Sequence, residues 1–315
     1  MIRFGLCCIF RNEPIRFRRT TAAYLSRLPR RRQLDHLSDI CGHNADSLGD
    51  ALEFCRRNGI GSFRINSQIL PLKTHPDVGY RMEDLPGYKR IIDRFRDCGD
   101  FCRRHDIRTT FHPDQFILLS SPNPDVIKRS VADLAYQAEV AEWVGADVLT
   151  IHGGGAYGDK PGTIRRLRAA IARLPEAIQT RLALENDDRT YTPADLLPLC
   201  RDTKIPLVYD VHHHRCLPDG QSVEKTTDHA IRTWRREPLF HISSPARSEN
   251  GRIERHHHEY IDPDDFPSCW LARNLTVEVE AKAKELAVNR LITALDNGRL
   301  NRSAQTRSTQ ARNKP

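Results

Sequence analysis

The chain lacks any apolar run near the ~20 residues that span a bilayer, which excludes an integral membrane protein built on helices. Its first residues, MIRFGLCCIFRNEP, return to charge too soon to form the hydrophobic region of a secretory signal. A cytoplasmic location is therefore expected, nucleoid-associated if the source is bacterial. The nine cysteines are odd in number, irregularly spaced and without a CxxC pair. That excludes a disulfide framework and argues for reduced thiols. No GxGxxG follows the first strand signal, so a dinucleotide-binding open sheet has no support. No repeat and no obvious protein nucleophile stand out. What is present is a basic chain of 315 residues, 49 Lys+Arg against 41 Asp+Glu, net +8. The excess rests on arginine, which suits planar phosphate recognition.

Short β-rich runs recur at 2–9, 62–66, 107–111, 147–152, 181–186, 206–211, 238–243 and 275–280. Most are continuous apolar or β-branched stretches, the signature of strands buried on both faces of a parallel sheet. Helical patterning fills the gaps at 46–57, 88–105, 124–144, 161–173, 193–202, 222–236 and 281–293. In the first of these, Leu48, Leu52 and Cys55 share a face, Asp46 is the expected N-cap, and Asn58-Gly59 the stop. Cys98 and Cys102 read as core-facing thiols. Eight strands alternating with helices predict a single α/β domain, a (β/α)8 TIM barrel, over 1–295. An arginine-rich insertion is expected at 11–37, a long polar connection at 244–273, and a basic disordered tail at 296–315.

In such a barrel the chemistry sits at the C-terminal ends of the strands. Strand three ends in His112, four in His152, five in Glu185, six in Asp210 with His213 just after, seven carries His241, and eight ends in Glu280. The loop after strand two carries His75; the loop before strand eight carries His256, His257 and His258. Any one of these has a dull explanation. Six consecutive strands delivering His, Asp or Glu to one end do not. Imidazoles mixed with carboxylates are ligands for Zn, Mn or Fe. Their number exceeds one ion's needs and suits two or three. Neighbouring ions suit phosphodiester hydrolysis, one activating water and another stabilising the leaving oxygen. The glycines of IHGGG (151–155) serve either an anion cradle or a tight βα turn.

The segments FRINSQILPLKTHP (63–76), HPDQF (112–116), IHGG (151–154), LALEND (182–187), YDVHHH (209–214), HIS (241–243), HHEYID (257–262) and VEVEAKAKE (277–285) together resemble the UV damage endonucleases, over roughly residues 1–290. That family is similar in fold to endonuclease-IV-type AP endonucleases. The resemblance implies a metal-dependent DNA repair enzyme that nicks damaged double-stranded DNA 5′ to UV photoproducts and related lesions, leaving a 3′-hydroxyl and a 5′-phosphate. It implies two or three divalent ions, Mn2+ first, with Zn2+ or Mg2+ as alternatives. By motif, the ligands would be His75, His112, His152, Glu185, Asp210, His213, His241, His257 and Glu280. Glu185, His112, Asp210 and Glu280 would carry the catalytic core.

Gln115 and Phe116 would probe the lesion, with Arg64, Lys282 and Lys284 as candidates for phosphate contact or site electrostatics. For Phe116 the alternative is core packing beneath Ile117; for Arg64, a structural salt bridge. The chain departs from the family pattern at three places. Phe116 stands for tyrosine, Leu6 for the strand-one tyrosine, and Leu239 for a lysine that can be a modified, metal-bridging ligand. Asn12 could replace the family's nearby asparagine. A monomer is expected. Two other readings fit parts of the pattern: a sugar isomerase or epimerase on the same barrel, and a non-catalytic binder of damaged DNA. Since imidazoles must be neutral to bind metal, activity is expected to fall below about pH 6.

Overall fold

The computed structural model describes residues 1–246 and 254–297. Eight parallel strands close into a barrel in chain order: β1 (Ile2–Cys7), β2 (Ser62–Ile65), β3 (Arg108–Phe111), β4 (Val148–His152), β5 (Leu182–Glu185), β6 (Leu207–Asp210), β7 (Leu239–Ile242) and β8 (Leu275–Val279). β1 closes the ring by pairing with β8, Ile2 opposite Leu275 through Leu6 opposite Val279. Each strand is short and almost wholly buried because helices cover its outer face and its neighbours fill its inner one. The expected fold class therefore holds.

Period-two alternation decides which residues enter the lumen. Arg64, His112, His152, Glu185, Asp210, His241 and Glu280 point inward at one end. One layer below, an apolar plug of Val148, Ala183, Val208 and Leu239 packs with Trp234. Leu239 lies two residues before His241 and is fully buried, so it brings no polar atom to the layer above. Leu6 is buried in the main core.

The first long helix departs from expectation. It spans Arg30–Arg57, starting sixteen residues before 46, and Asp46 lies inside it rather than capping it. The reason is visible in its buried face. Gln33, Leu37, Cys41, Asn44, Leu48, Leu52 and Cys55 repeat at three- and four-residue steps. Polar residues at two of these steps, with an arginine run in front, hide the stripe from a hydrophobicity reading. The insertion expected at 11–37 thus ends near residue 29, and it carries a short helix of its own, Ala22–Leu25. The last helix runs from 285 to 297, beyond the 293 expected. The remainder of the expected tail, and 247–253 of the polar connection, lie outside the described residues.

All nine cysteines are free, with Cys98 and Cys102 buried. Among the described residues no helix is long and apolar enough to cross a membrane.

Candidate metal centre and nuclease site

Glu185, at the end of β5, is completely buried, and four imidazoles converge on its carboxylate. His112 Nε2 lies 2.6 Å from Oε2 and His152 Nε2 3.7 Å from the same oxygen. His241 Nδ1 lies 2.9 Å and His213 Nδ1 3.4 Å from Oε1. Burial alone would raise this carboxyl, but His241, His152 and His112 outweigh it and hold it well below the usual carboxylate range.

Local sequence explains how the rest of the set arrives. Asp210 ends β6 and caps the short helix Val211–Cys216, its Oδ1 accepting from the His213 amide at 2.7 Å. That turn folds His213 back over Asp210, Nδ1 to Oδ2 3.7 Å. Asn186, fully buried, ties the two strand ends together. Its Nδ2 donates to the Asp210 carbonyl and its Oδ1 accepts from the Asp210 amide. Glu280 follows β8 and lies 3.5 Å from His241 Nδ1.

The histidine choice in the polar connection has a structural reason. Residues 244–246 and 256–258 pair as an antiparallel bridge centred on Pro245 and His257. Alternation then turns His257 toward the site, Nδ1 3.8 Å from Glu280 Oε2. His256 is exposed, and His258 Nδ1 is taken by Tyr260. His75 stands apart from the cluster. Its Nδ1 accepts from the amides of Asp77 and Val78, and it lines an adjoining pocket that shares Gln68 and Asp114 with the main cavity.

Among the described residues, three sets of donor atoms lie close enough to share an ion: His112, His152 and Glu185; His112, His241 and Glu280; Glu185, Asp210 and His213. Two further observations fit a bound cation. Asp210 Oδ2 and His152 Nδ1 are buried without a hydrogen-bond partner, a costly state unless a ligand satisfies them. The electrostatics agree. Burial should lower His241 and His213, yet Glu185 and Glu280 push His241 up to about 10, and Asp210 and Glu185 hold His213 well above its ordinary value. The carboxylates are drawing positive charge from whatever stands nearby. His152, by contrast, is lowered, chiefly by burial.

Among the described residues, Arg64 is the one guanidinium inside the cluster. Its Nη1 lies 2.5 Å from Glu280 Oε1, its Nη2 2.5 Å from Glu278 Oε2 and 2.8 Å from His241 Nε2. Because it is consumed there and buried, its geometry supports site electrostatics rather than direct phosphate contact. Glu278 was not anticipated from sequence. It is buried, bonded also by Thr110, and Arg64 and His241 overcome its burial to hold it at about 2. The alternation of VEVE, which puts both glutamates on the inner face, was the available signal.

The cavity over the cluster measures about 410 Å³. Its walls include Arg19, Arg64, His112, His257, Glu280, Lys282 and Lys284, with Cys7 and Cys8. Burial pushes the Cys7 thiol up strongly and Cys8 to about 11, so neither supplies a thiolate nucleophile at neutral pH. Gln115 is exposed at the rim and Phe116 is 72% exposed, while its neighbour Ile117 is buried. The core-packing alternative for Phe116 is therefore wrong. The glycines after β4 serve packing and turn geometry. A side chain on Gly153 would strike the Tyr191 ring at 2.7 Å, and Gly154 takes φ +83°.

The sequence profile described as UV-endonuclease UvdE matches residues 2–307. The UV DNA damage endonuclease of Bacillus velezensis is 33% identical over 312 residues, covering 94% of each chain. The crystal structure of SacUVDE superposes with a TM-score of 0.83 at 26% identity, over 94% of this chain and 99% of that one. Endonuclease IV from Thermus thermophilus shares the fold, TM-score 0.59 at 16% identity, over 79% of this chain and 94% of that one.

Proposed function

The chain belongs to the UV-endonuclease UvdE family, and from that premise we propose that this DNA repair endonuclease is metal-dependent and nicks the phosphodiester 5′ to UV photoproducts, leaving a 3′-hydroxyl and a 5′-phosphate. The observation that carries the reading is the convergence of four imidazoles on the buried Glu185, beside two buried polar atoms without partners. Two or three divalent ions, Mn2+ in first place and Zn2+ or Mg2+ as alternatives, would supply activated water and neutralise charge developing on the phosphorus.

Residues His112, His152, Glu185, Asp210, His213, His241 and Glu280 would hold them, with His75 and His257 completing the set from the loops. Glu185 belongs to two of the three donor sets and would help hold the ion in each. Arg64 fixes Glu280 in place. Asn186 and the Asp210 cap fix the β5 and β6 ends, so the donor atoms are preorganised by groups that do not themselves react. Lys282 and Lys284 line the cavity and draw a phosphate toward it. Gln115 and Phe116 stand exposed where a distorted duplex would meet the protein, the ring replacing stacking lost at the lesion.

The test is an end-labelled duplex with one defined pyrimidine photoproduct, in Mn2+, beside undamaged and abasic-site duplexes, with Glu185→Gln as control. The expected outcome is a nick immediately 5′ to the photoproduct that the variant lacks. Cleavage confined to the abasic duplex would overturn the lesion assignment. No cleavage of any duplex, with metal shown to be bound, would overturn the hydrolytic reading and favour the binding-only alternative.

A further inference from the structure

Residues 11–34 hold eight arginines and a single acid, Glu13. Six of the eight, Arg16, Arg18, Arg19, Arg27, Arg31 and Arg32, are exposed and make no ion pair with any described residue. A solvated surface of this charge would normally intersperse acids. Here the run is not a loose one either, because its backbone is held from both sides.

At its start, Glu285, buried and unassigned by any sequence reading, accepts from the amides of Arg11 and Asn12 at 2.8 and 2.7 Å. In its middle, the fully buried Asn44 clamps Arg18, accepting from its amide at 2.7 Å and donating to its carbonyl at 3.1 Å. Ser47 donates to the carbonyl of Arg16. Near its end, Gln33 donates to the carbonyls of Leu25 and Leu28. Ile15 and Phe17 pack on the core while Arg16 and Arg18 face outward, so the segment alternates like a strand. Buried polar side chains are spent on fixing the backbone of a segment whose guanidinium groups, Arg11 apart, meet no carboxylate among the described residues, although Arg16 Nη1 also donates to the carbonyls of Glu13 and Ile15. That is the arrangement of a surface built for another molecule.

Its position identifies the molecule. Arg19 lines the cavity that holds His112, His257 and Glu280. Arg18, next in the chain, lines a separate cleft of about 650 Å³ between the helices Arg30–Arg57 and Tyr88–His105, together with Arg90, Asp39 and the Arg94–Asp46 ion pair. The guanidinium row therefore begins at the candidate nuclease site and leads away from it. We propose that this strap is a preorganised phosphate track, in which Arg16, Arg18 and Arg19 seat the sugar–phosphate backbone of the duplex flanking the cut. The proposal rests on the nuclease reading above. Because the strap is held before DNA arrives, little ordering entropy is lost on binding. Because it contacts phosphates and no bases, it adds affinity without sequence preference.

The test compares the full chain with an Arg16→Ala/Arg18→Ala/Arg19→Ala variant, whose exposed positions should leave the melting temperature unchanged. Binding to a photoproduct duplex is measured across a salt series in Ca2+ or without added metal, so that cleavage does not intrude. Three lost phosphate contacts should make the log–log salt slope shallower by about 2.7 and weaken low-salt binding by about tenfold or more. Arg→Lys at the same three positions should restore most of the slope. Shortening the duplex flanks stepwise should weaken the parent chain and leave the variant little affected. An unchanged slope in a folded variant would overturn the proposal while leaving the nuclease reading intact. Failure of the parent chain itself to bind duplex would overturn both.

Discussion

The two ends of the barrel are built from the same kinds of residue and balance them differently. At the N-terminal end, three arginines meet three acids. Arg3 pairs with Glu237 at 3.0 Å and Asp106 at 3.2 Å, and Arg108 and Arg236 pair with Asp147 at 2.9 and 3.1 Å. Thr276 bonds Glu237, and the two guanidinium groups of Arg108 and Arg236 lie over the Trp234 ring. Charge closes on itself there. At the C-terminal end, Glu185, Asp210 and Glu278 are buried and Glu280 is half-buried, and among the described residues one guanidinium, Arg64, lies with them. The deficit is made up by raised imidazoles and leaves Asp210 Oδ2 and His152 Nδ1, among other buried atoms there, without a hydrogen-bond partner among the described residues. A balanced buried network is structure; an unbalanced one, with ligand-type donors, is a place for cations. This matches the general division of such barrels into a stability face and a reactive face.

The largest break in this contrast should come from Glu185→Gln. It keeps the shape and removes the charge on which four imidazoles converge. Nicking should fall by ~10³-fold or more, the scale on which single charge-stabilising groups are felt. Bound-metal content should fall with it, measured by elemental analysis after gel filtration. A variant with parental metal content and rate would place the centre elsewhere.

The opposite end should respond in stability and not in rate. Arg108→Ala removes one partner of a part-buried pair while Arg236 still faces Asp147. Because Asp147 keeps that partner and some solvent, the cost should be about 1–3 kcal/mol rather than the full penalty of an orphaned buried charge. Denaturant unfolding would show it, with the nicking rate of folded protein within about twofold of the parent. A large loss of rate at unchanged stability would mean that the two ends are coupled.

Chelation probes the same division without mutation. Ions held at hundredfold excess over their Kd should stabilise the fold by about 2.7 kcal/mol. Treatment with a chelator should lower the melting temperature by several degrees, and Arg108→Ala should add to that fall independently, since distant sites are additive. An identical melting temperature with and without metal would remove the cation argument.

Much of this contrast was legible in the sequence. The eight strands declared themselves because a doubly buried strand must be a continuous apolar run. His112, His152, Glu185, Asp210, His241 and Glu280 declared themselves because polar residues closing such runs have no structural excuse. What stayed hidden was polar and internal. Glu278 sits two residues inside a strand, where its neighbour Glu280 already explained the acid. Asn44, Asn186 and Glu285 hold backbone, a role that depends on three-dimensional partners far apart in the chain. The helix over 30–45 was masked because its buried stripe includes Gln33 and Asn44. His75 is the converse case: its motif nominates it, and the structure leaves it in an adjoining pocket.

The pH dependence should separate the two ends most finely. Without metal, His241 titrates at about 10, because Glu185 and Glu280 outweigh its burial. Those carboxylates favour the protonated ring at neutral pH, whereas Arg64 Nη2, 2.8 Å from Nε2, opposes it. The ring's contribution to metal-free stability is fully present below the ordinary imidazole value of about 6.5 and is lost as pH rises through about 10. Metal requires the neutral ring, so an ion must displace that proton, and His213, also raised, adds a second. Apparent metal affinity should then climb by up to about tenfold per pH unit for each proton displaced, between pH 6.5 and about 10. Glu185 and Glu278 are held low and stay ionised throughout, so they add nothing to the slope. The acid limb of nicking should accordingly lie above the pH 6 expected from unperturbed imidazoles. Calorimetry in buffers of different ionisation enthalpy should count one to two protons released per metal-loading event at pH 7.5. Zero release would mean that the imidazoles are already neutral, and that the charge imbalance at this end is smaller than its four carboxylates imply.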